Sequence, residues 1–250
     1  MEPYSNCEIF VRWSWEYDVV FFTNTGTIKV APIHPLNRQT MTKKSFYFLV
    51  WAVIILINLY FIYNFPLKHF NEKEWSKPFG PLLIVHIVFG MIAILMGPFQ
   101  FFPFVRKKYP HIHRFTGRVY LLSVLIAAIV ATFLAINHNI ILQRRVVFGT
   151  GLLGLAVAWF LTSGMAFWAI KTRNFVQHRE WMVRSYVVTC GFTVYRILVV
   201  TLNSYVQFDY GKEMSGIVAW ACWSVPLLIV EVFLQAKKIN KGSFTSTAIR

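Results

Sequence analysis

Two short stretches of this 250-residue chain concentrate side chains that could do chemistry. Residues 111–120 read HIHRFTGRVY and residues 177–186 read QHREWMVRSY. Each sets a His-Arg pair ahead of an Arg-x-Tyr: His113, Arg114, Arg118 and Tyr120 in the first, His178, Arg179, Arg184 and Tyr186 in the second. Neutral imidazoles ligate metal ions and haem iron, and guanidinium groups hold propionates, phosphates or lipid headgroups. If the two stretches converge, His113 and His178 are a ligand pair with Arg114, Arg118, Arg179 and Arg184 as anion holders. A plainer reading assigns arginines at membrane-helix ends to topology and the tyrosines to the aromatic belt at the lipid–water boundary. The residues alone allow both.

Three more ionisable residues stand inside long apolar runs: His86, Arg196 and Glu231. A charge in such a run costs about 2.5–3.5 kcal/mol on insertion scales and faces a polar interior. At 1.5 Å per helical residue, His86 lies roughly 9 Å and Arg196 roughly 14 Å from the same end of their spans, levels that allow contact. Backbone carbonyls, Tyr195, Asn58, Thr162 and Ser163 are candidate partners for Arg196, as are a bound anion or a quinone carbonyl. Glu231, the only carboxylate in any span, lies near the opposite end and fits Arg184 or Arg118 better. His34, His69, His111 and His138 fall in loops or at helix ends and receive no role.

Other signals are weak. Residues 149–154, GTGLLG, match a dinucleotide fingerprint but lack the preceding strand that it needs; small residues for close helix packing explain them better. No HExxH pair and no nucleophile elbow is present, so hydrolysis has no support. Cys7, Cys190 and Cys222 show neither a zinc nor a disulfide spacing.

The elements that must position these residues are membrane helices. The chain is 56% hydrophobic, 18% aromatic and only 14% charged, with mean hydropathy +0.52. A span needs roughly 20 mostly apolar residues, and six segments qualify: 45–64, 80–104, 119–136, 146–170, 182–205 and 214–235. Backbone in lipid is helical or barrel-closed, and no alternating barrel pattern appears. The expected fold is all-α, a bundle of six transmembrane helices. Of the 25 Lys and Arg, 18 fall on the side that holds both termini and 6 on the other, with Arg196 between. Positive residues mark the cytoplasmic face, so both termini are read as inside. The net charge of +15 is then a topology signal, and no nucleic-acid partner is implied. The partner is the lipid bilayer, and the location is the inner, cytoplasmic membrane. The two stretches open the third and fifth spans on one side, as two parallel helical hairpins.

Residues 1–40 mix charges into an aromatic stretch and cannot span; Met41-Thr42-Lys43-Lys44 then directly precedes the first span. The expected layout is a non-spanning extension over 1–40, a six-helix domain over 41–238 and a cytoplasmic tail over 239–250.

The run HIVFGMIAILMGPFQFF, then HRFTGRVY, then HREWMVR resembles a bacterial family of predicted membrane proteins, domain of unknown function 2306. The resemblance covers about residues 45–236 and carries no established activity. It implies His86, Gln100, His113, Arg114, Gly117, Arg118, His178, Trp181, Met182 and Arg184 as positions to test.

Three functions follow as expectations. The first is a redox-type membrane protein with haem or a quinone-like ligand, on His113 and His178. The second is a transporter or a lipid- or anion-binding protein, with His86 and Arg196 holding a polar or anionic substrate near mid-membrane. The third is an assembly scaffold with no small ligand. If Met41 is the native start, the intact mass of the natural protein falls below 29.1 kDa by the mass of the first forty residues; mass spectrometry returning 29.1 kDa rules that start out.

Overall fold

The computed structural model describes the backbone of residues 18–22, 28–32, 38–64, 78–205 and 212–247, and the side chains of residues 48–64, 78–204 and 214–239. The chain divides into two compact units, Met1–Val53 and Ile54–Arg250. Most of the extension over residues 1–40 lies outside the described residues. Its described part is an antiparallel ladder, β1 (Asp18–Phe22) with β2 (Ile28–Pro32), in register Asp18 to Pro32 and Phe22 to Ile28.

Everything described from residue 38 on is helix and its connections. The helices are α1 (Arg38–Ile62), α2 (Gly80–Phe101), α3 (Pro103–Lys108), α4 (Pro110–Phe133), α5 (Val146–Lys171), α6 (Phe175–Thr189), α7 (Gly191–Tyr205) and α8 (Lys212–Thr247). A π-helical segment, Leu134–Leu142, continues α4 without a break. Among the described residues, five spans are long and apolar enough to cross a membrane: Gly80–Phe101, Pro110–Leu142, Val146–Lys171, Phe175–Ser204 and Met214–Ile239. These correspond to the second through sixth expected spans. The first expected span falls on α1, whose apolar stretch Phe48–Ile62 is shorter. Large apolar side chains such as Leu228, Phe233 and Phe160 point outward, as lipid-facing positions do.

Local signals set the helix ends. Pro81, Pro103 and Pro110 sit in first turns, where a missing N–H costs nothing. At the α5–α6 turn Arg173 adopts a left-handed φ of 58°, and the Asn174 N–H returns to the Ala169 carbonyl at 2.8 Å. This satisfies a carbonyl that the helix end would leave open. Asn174 then caps α6 by accepting from the Gln177 N–H at 3.1 Å. His178-Arg179 therefore starts a helix that is capped by sequence.

The closest helix pairs are α2 with α4 and α5 with α6, which makes the two parallel hairpins neighbours through α4 and α5. Helix α5 is central, packing on α4, α6 and α8. Gly151 lets α8 approach: a Cβ there would lie 3.0 Å from the Ala219 Cβ. GTGLLG is thus a packing stripe, as its place in an apolar run implied.

Two glycines of α2 face opposite conditions. A Cβ on Gly97 would lie 2.1 Å from the Tyr186 ring, whereas a Cβ on Gly90 meets nothing within 4 Å. Overpacking costs about 1–3 kcal/mol, while replacing a mid-helix glycine by alanine gains roughly 0.5–1 kcal/mol. Gly97→Ala should therefore lower the melting temperature in detergent and Gly90→Ala should leave it equal or higher. Equal melting of the two variants would contradict the packing described.

Candidate functional site

The helical unit contains a cavity of about 820 Å³ between α2, the π-segment, α5 and the α6–α7 junction. Its lining is mostly apolar and aromatic, with Ile87, Met91, Leu152, Trp159 and Phe192 among the contributors. Among the described residues, the ionisable side chains in the lining are His86, His138 and Arg196, and Asn139, Gln143 and Thr189 are further polar ones. The cavity reaches the surface where Pro78, Leu142 and Gln143 are exposed, the end at which α2 and α5 begin. Trp159 is 13 residues into α5 and Ile94 is 14 residues into α2, so the floor lies about 20 Å from that end.

Two backbone irregularities form its walls. Over Leu134–Leu142 the helix widens to π geometry, with the Gln143 N–H reaching the His138 carbonyl five residues back at 3.0 Å. This turns His138 and Asn139 to the cavity. At Cys190 the fifth expected span breaks into α6 and α7, with Thr189, Phe192 and Arg196 on the cavity wall. Irregular backbone at membrane depth is tolerated where it lines a cavity or is buried in protein.

His86 donates from Nδ1 to the Ala127 carbonyl at 3.0 Å, since a carbonyl only accepts. That bond fixes the ring and leaves Nε2 as its remaining polar atom. The Arg196 guanidinium lies over the Phe192 and Tyr195 rings, at 5.4 and 5.9 Å from their centroids. Of the partners weighed for it in sequence, Tyr195 is in contact. Asn58 instead bonds Thr193, and Thr162 bonds the Ala158 carbonyl. Phe79, with a left-handed φ of 66°, stacks edge-on against Phe133 and His138 at the cavity mouth.

The floor is sealed by a directed chain of hydroxyls. Trp159 Nε1 donates to Thr189 Oγ1 at 2.8 Å, and Thr189 donates to the Ser185 carbonyl at 2.8 Å. With that hydrogen committed, Tyr120 must donate to Thr189, at 2.8 Å. Ser185 must then donate to Tyr120 at 2.7 Å, and Ser163 to Ser185 at 2.7 Å. Tyr120 and Ser185 are fully buried.

This corrects the belt reading of the tyrosines. Tyr120 joins α4 to α6, and Tyr186, also buried, donates to the Ile94 carbonyl of α2 at 3.3 Å. The reason is register: α4 starts at Pro110, so Tyr120 lies ten residues in, about 15 Å from the helix start.

The other motif residues divide. His113 lies within electrostatic reach of His178 and Arg106. His178 donates from Nδ1 to the Ala166 carbonyl at 2.8 Å, while the buried Nδ1 of His113 has no hydrogen-bond partner. Arg114, Arg118 and Arg179 are exposed. Arg184 is buried and takes Glu231 from Nε and a terminal nitrogen, both at 2.7 Å, with its plane 4.6 Å over Trp181. Of the four arginines, Arg184 alone is buried, and it is paired with a carboxylate of this chain. Gln100 is buried and donates to Thr116 at 2.8 Å, with Gly117 closely packed on its side-chain oxygen. Among the described residues, no group of three or more His, Cys, Asp or Glu could hold a metal ion.

Sequence reasoning passed over His138, Thr189, Ser185 and Trp159. The i,i+4 spacing of Ser185 and Thr189 inside a span was the available signal.

Residues 83–234, more than half of the chain, match the family model described as Predicted membrane protein (DUF2306). No curated protein and no solved structure matches the chain.

Tyr120→Phe removes the donor to Thr189 and the acceptor of Ser185. Unmet buried partners cost about 1–3 kcal/mol each in water-soluble proteins, and membrane cycles average nearer 0.6. The variant should unfold at a lower temperature by about 1–2 kcal/mol of stability; an unchanged melting curve would show that the chain carries no load.

Proposed function

Since the chain belongs to this family of predicted membrane proteins (DUF2306), we propose that it is a multi-pass membrane protein that binds a small molecule in the cavity lined by His86 and Arg196. The observation that carries this is their convergence: two residues 110 positions apart, each costly in lipid, share one largely apolar cavity with His138. A cavity of 300–1,000 Å³ with apolar walls and a few placed polar groups is the ordinary form of a small-molecule site.

In the topology proposed with it, α1 completes a sixth span, both termini lie inside and the protein sits in the inner membrane. The charge asymmetry of the loops supports that orientation. The cavity mouth then faces outward and the doubled motif inward. A transporter would need a second opening past the Trp159–Thr189–Tyr120 seal, so binding is the simpler activity. The redox reading draws support from the proximity of His113 and His178. A quinone-like ligand would fit the same cavity, with carbonyls toward His86 and Arg196.

Gly90 offers a clean block, because its Cβ direction is open space on the cavity wall. Purified wild-type protein should carry a small molecule, found by mass spectrometry of an organic extract, that Gly90→Leu and Arg196→Gln have lost while remaining folded. The same molecule retained by Gly90→Leu sinks the cavity reading. A Soret band that survives Gly90→Leu and vanishes in His113→Ala moves the function to the motif end.

A further inference from the structure

We propose that the hydroxyl chain below the cavity is a proton relay, joining the His113–His178 pair at the motif end to the cavity at the other. The inference goes beyond the binding reading. It needs the cavity as an opening and no ligand in it.

The two copies of the motif face each other rung by rung. His113 and Tyr120 are seven residues apart on α4, and His178 and Ser185 are seven apart on α6. Each pair therefore shares a helix face, two turns or about 10.5 Å apart. His113 lies within electrostatic reach of His178, and Tyr120 meets Ser185 at 2.7 Å. The doubled sequence thus builds a rung of imidazoles at the helix starts and a rung of hydroxyls two turns deeper. The second rung leads on in both directions. Tyr120 continues at 2.8 Å to Thr189, which lines the cavity, and Ser185 continues at 2.7 Å to Ser163 of α5. Three residues further along α5, about 4.5 Å toward the motif end, the Ala166 carbonyl holds Nδ1 of His178 at 2.8 Å. A single bridging water covers a gap of that order.

A tie between helices needs one bond for each pair. Here Ser163, Ser185 and Tyr120 each pass a hydrogen to the next oxygen, and Ser185 and Tyr120 each receive one. Among the described residues nothing donates to Ser163, so its oxygen is open to a donor from the motif side. The side chains beside the chain, Val124, Ala127, Ala166, Met182 and Val188, are buried and apolar. Among the described residues the hydroxyls are the polar route through this layer. What stops a molecule passes a proton.

The hop balances. His178 keeps its Nδ1 hydrogen on Ala166, so Nε2 takes up the proton and hands it on through the water to Ser163. Ser163 gives its own hydrogen to Ser185, Ser185 gives its hydrogen to Tyr120, and Tyr120 gives its hydrogen to Thr189. Thr189 holds the last hydrogen on the Ser185 carbonyl and releases it into the cavity by turning its hydroxyl. One proton enters and one leaves, and the hydroxyls rotate back to reset. His113, whose buried Nδ1 has no hydrogen-bond partner among the described residues, is the neighbour that shares the proton with His178.

The test uses the full chain, washed in detergent to strip any co-purified molecule and reconstituted in phosphatidylcholine vesicles with a trapped pH-sensitive dye. A potassium gradient with valinomycin drives the protons. Wild-type vesicles should change pH faster than protein-free ones, more slowly in deuterium oxide, and sodium should not follow. Tyr120→Phe and Ser163→Ala should bring the rate down toward that of protein-free vesicles. Thr189→Ser, which keeps the hydroxyl, should hold it near wild type. Ser163→Ala leaves the bonds among Tyr120, Thr189 and Trp159 in place, so a loosened bundle does not explain its loss of flux, and its melting curve in detergent checks this.

A wild-type rate equal to that of protein-free vesicles overturns the relay, and so does a rate undiminished in Ser163→Ala. Sodium entering with the protons also overturns it, in favour of a water-filled pore. These outcomes are separate from the binding reading, which stands or falls on the co-purified molecule and its loss in Gly90→Leu.

Discussion

A hydroxyl inside lipid must find a partner within the protein, and in this chain three helices are joined because five such partners found one another. The Tyr120 oxygen donates to Thr189 and accepts from Ser185, Trp159 approaches from α5, and Ser163 closes the far side. Thr189's bond to the Ser185 carbonyl dictates the direction of every other link. Helices in a bilayer gain little from hydrophobic contact with each other, because lipid tails are as apolar as leucine; close packing and interhelical hydrogen bonds decide association. Both operate here. Gly97 admits the Tyr186 ring, and that ring's hydroxyl reaches the Ile94 carbonyl, which adds α2 to the helices already tied at Tyr120.

The same constraint explains why the other half of the unit is open. Beyond this network the helices depart from regular geometry, with π-helix over Leu134–Leu142 and a break at Cys190. Each departure moves side chains off the register that would close the bundle, and Gly90 fills none of the space left. Thr189 belongs to both regions: it ends the hydroxyl chain and forms part of the cavity floor. The tie between helices and the depth of the cavity are therefore one feature. Repacking the network would move the floor as well as loosen the bundle.

Most of the spans were legible because twenty apolar residues leave little choice in lipid. The Arg184–Glu231 pair was legible because Glu231 is the only carboxylate in any of the spans expected from sequence and lies at the level of Arg184. Arg196 and His86 could be placed at similar depth by counting residues, but a shared cavity could not, since rotation about each helix axis is set by packing. The tyrosines were misread because the helices start at Pro110 and Phe175, well before the first long apolar run, which sets both rings deep. His138 was invisible for a related reason: a π-helix shifts the phase of the face, and LAINHNIIL carries no mark of it. At Cys190 the neighbouring Gly191 was the one trace of a break.

The repeated motif drew attention as chemistry, yet its buried members are mostly used in joining helices. Arg184 is held by Glu231 and lies near Glu180, which meets Lys238 at 2.7 Å. His178 is tied to a carbonyl, and Gln100 and Thr116 brace the turn beside Gly117. Positive charge at that end thus meets carboxylates of this chain or lies exposed. At the opposite end His86, His138 and Arg196 are the ionisable side chains among the described residues that line the cavity. The buried charge described at the motif end is met by its own fold, whereas those three ionisable groups toward the other end are gathered around a cavity. The positions with the least conspicuous sequence, a glycine, a lone histidine and an arginine in an apolar run, are the ones that the fold gathers on one cavity wall.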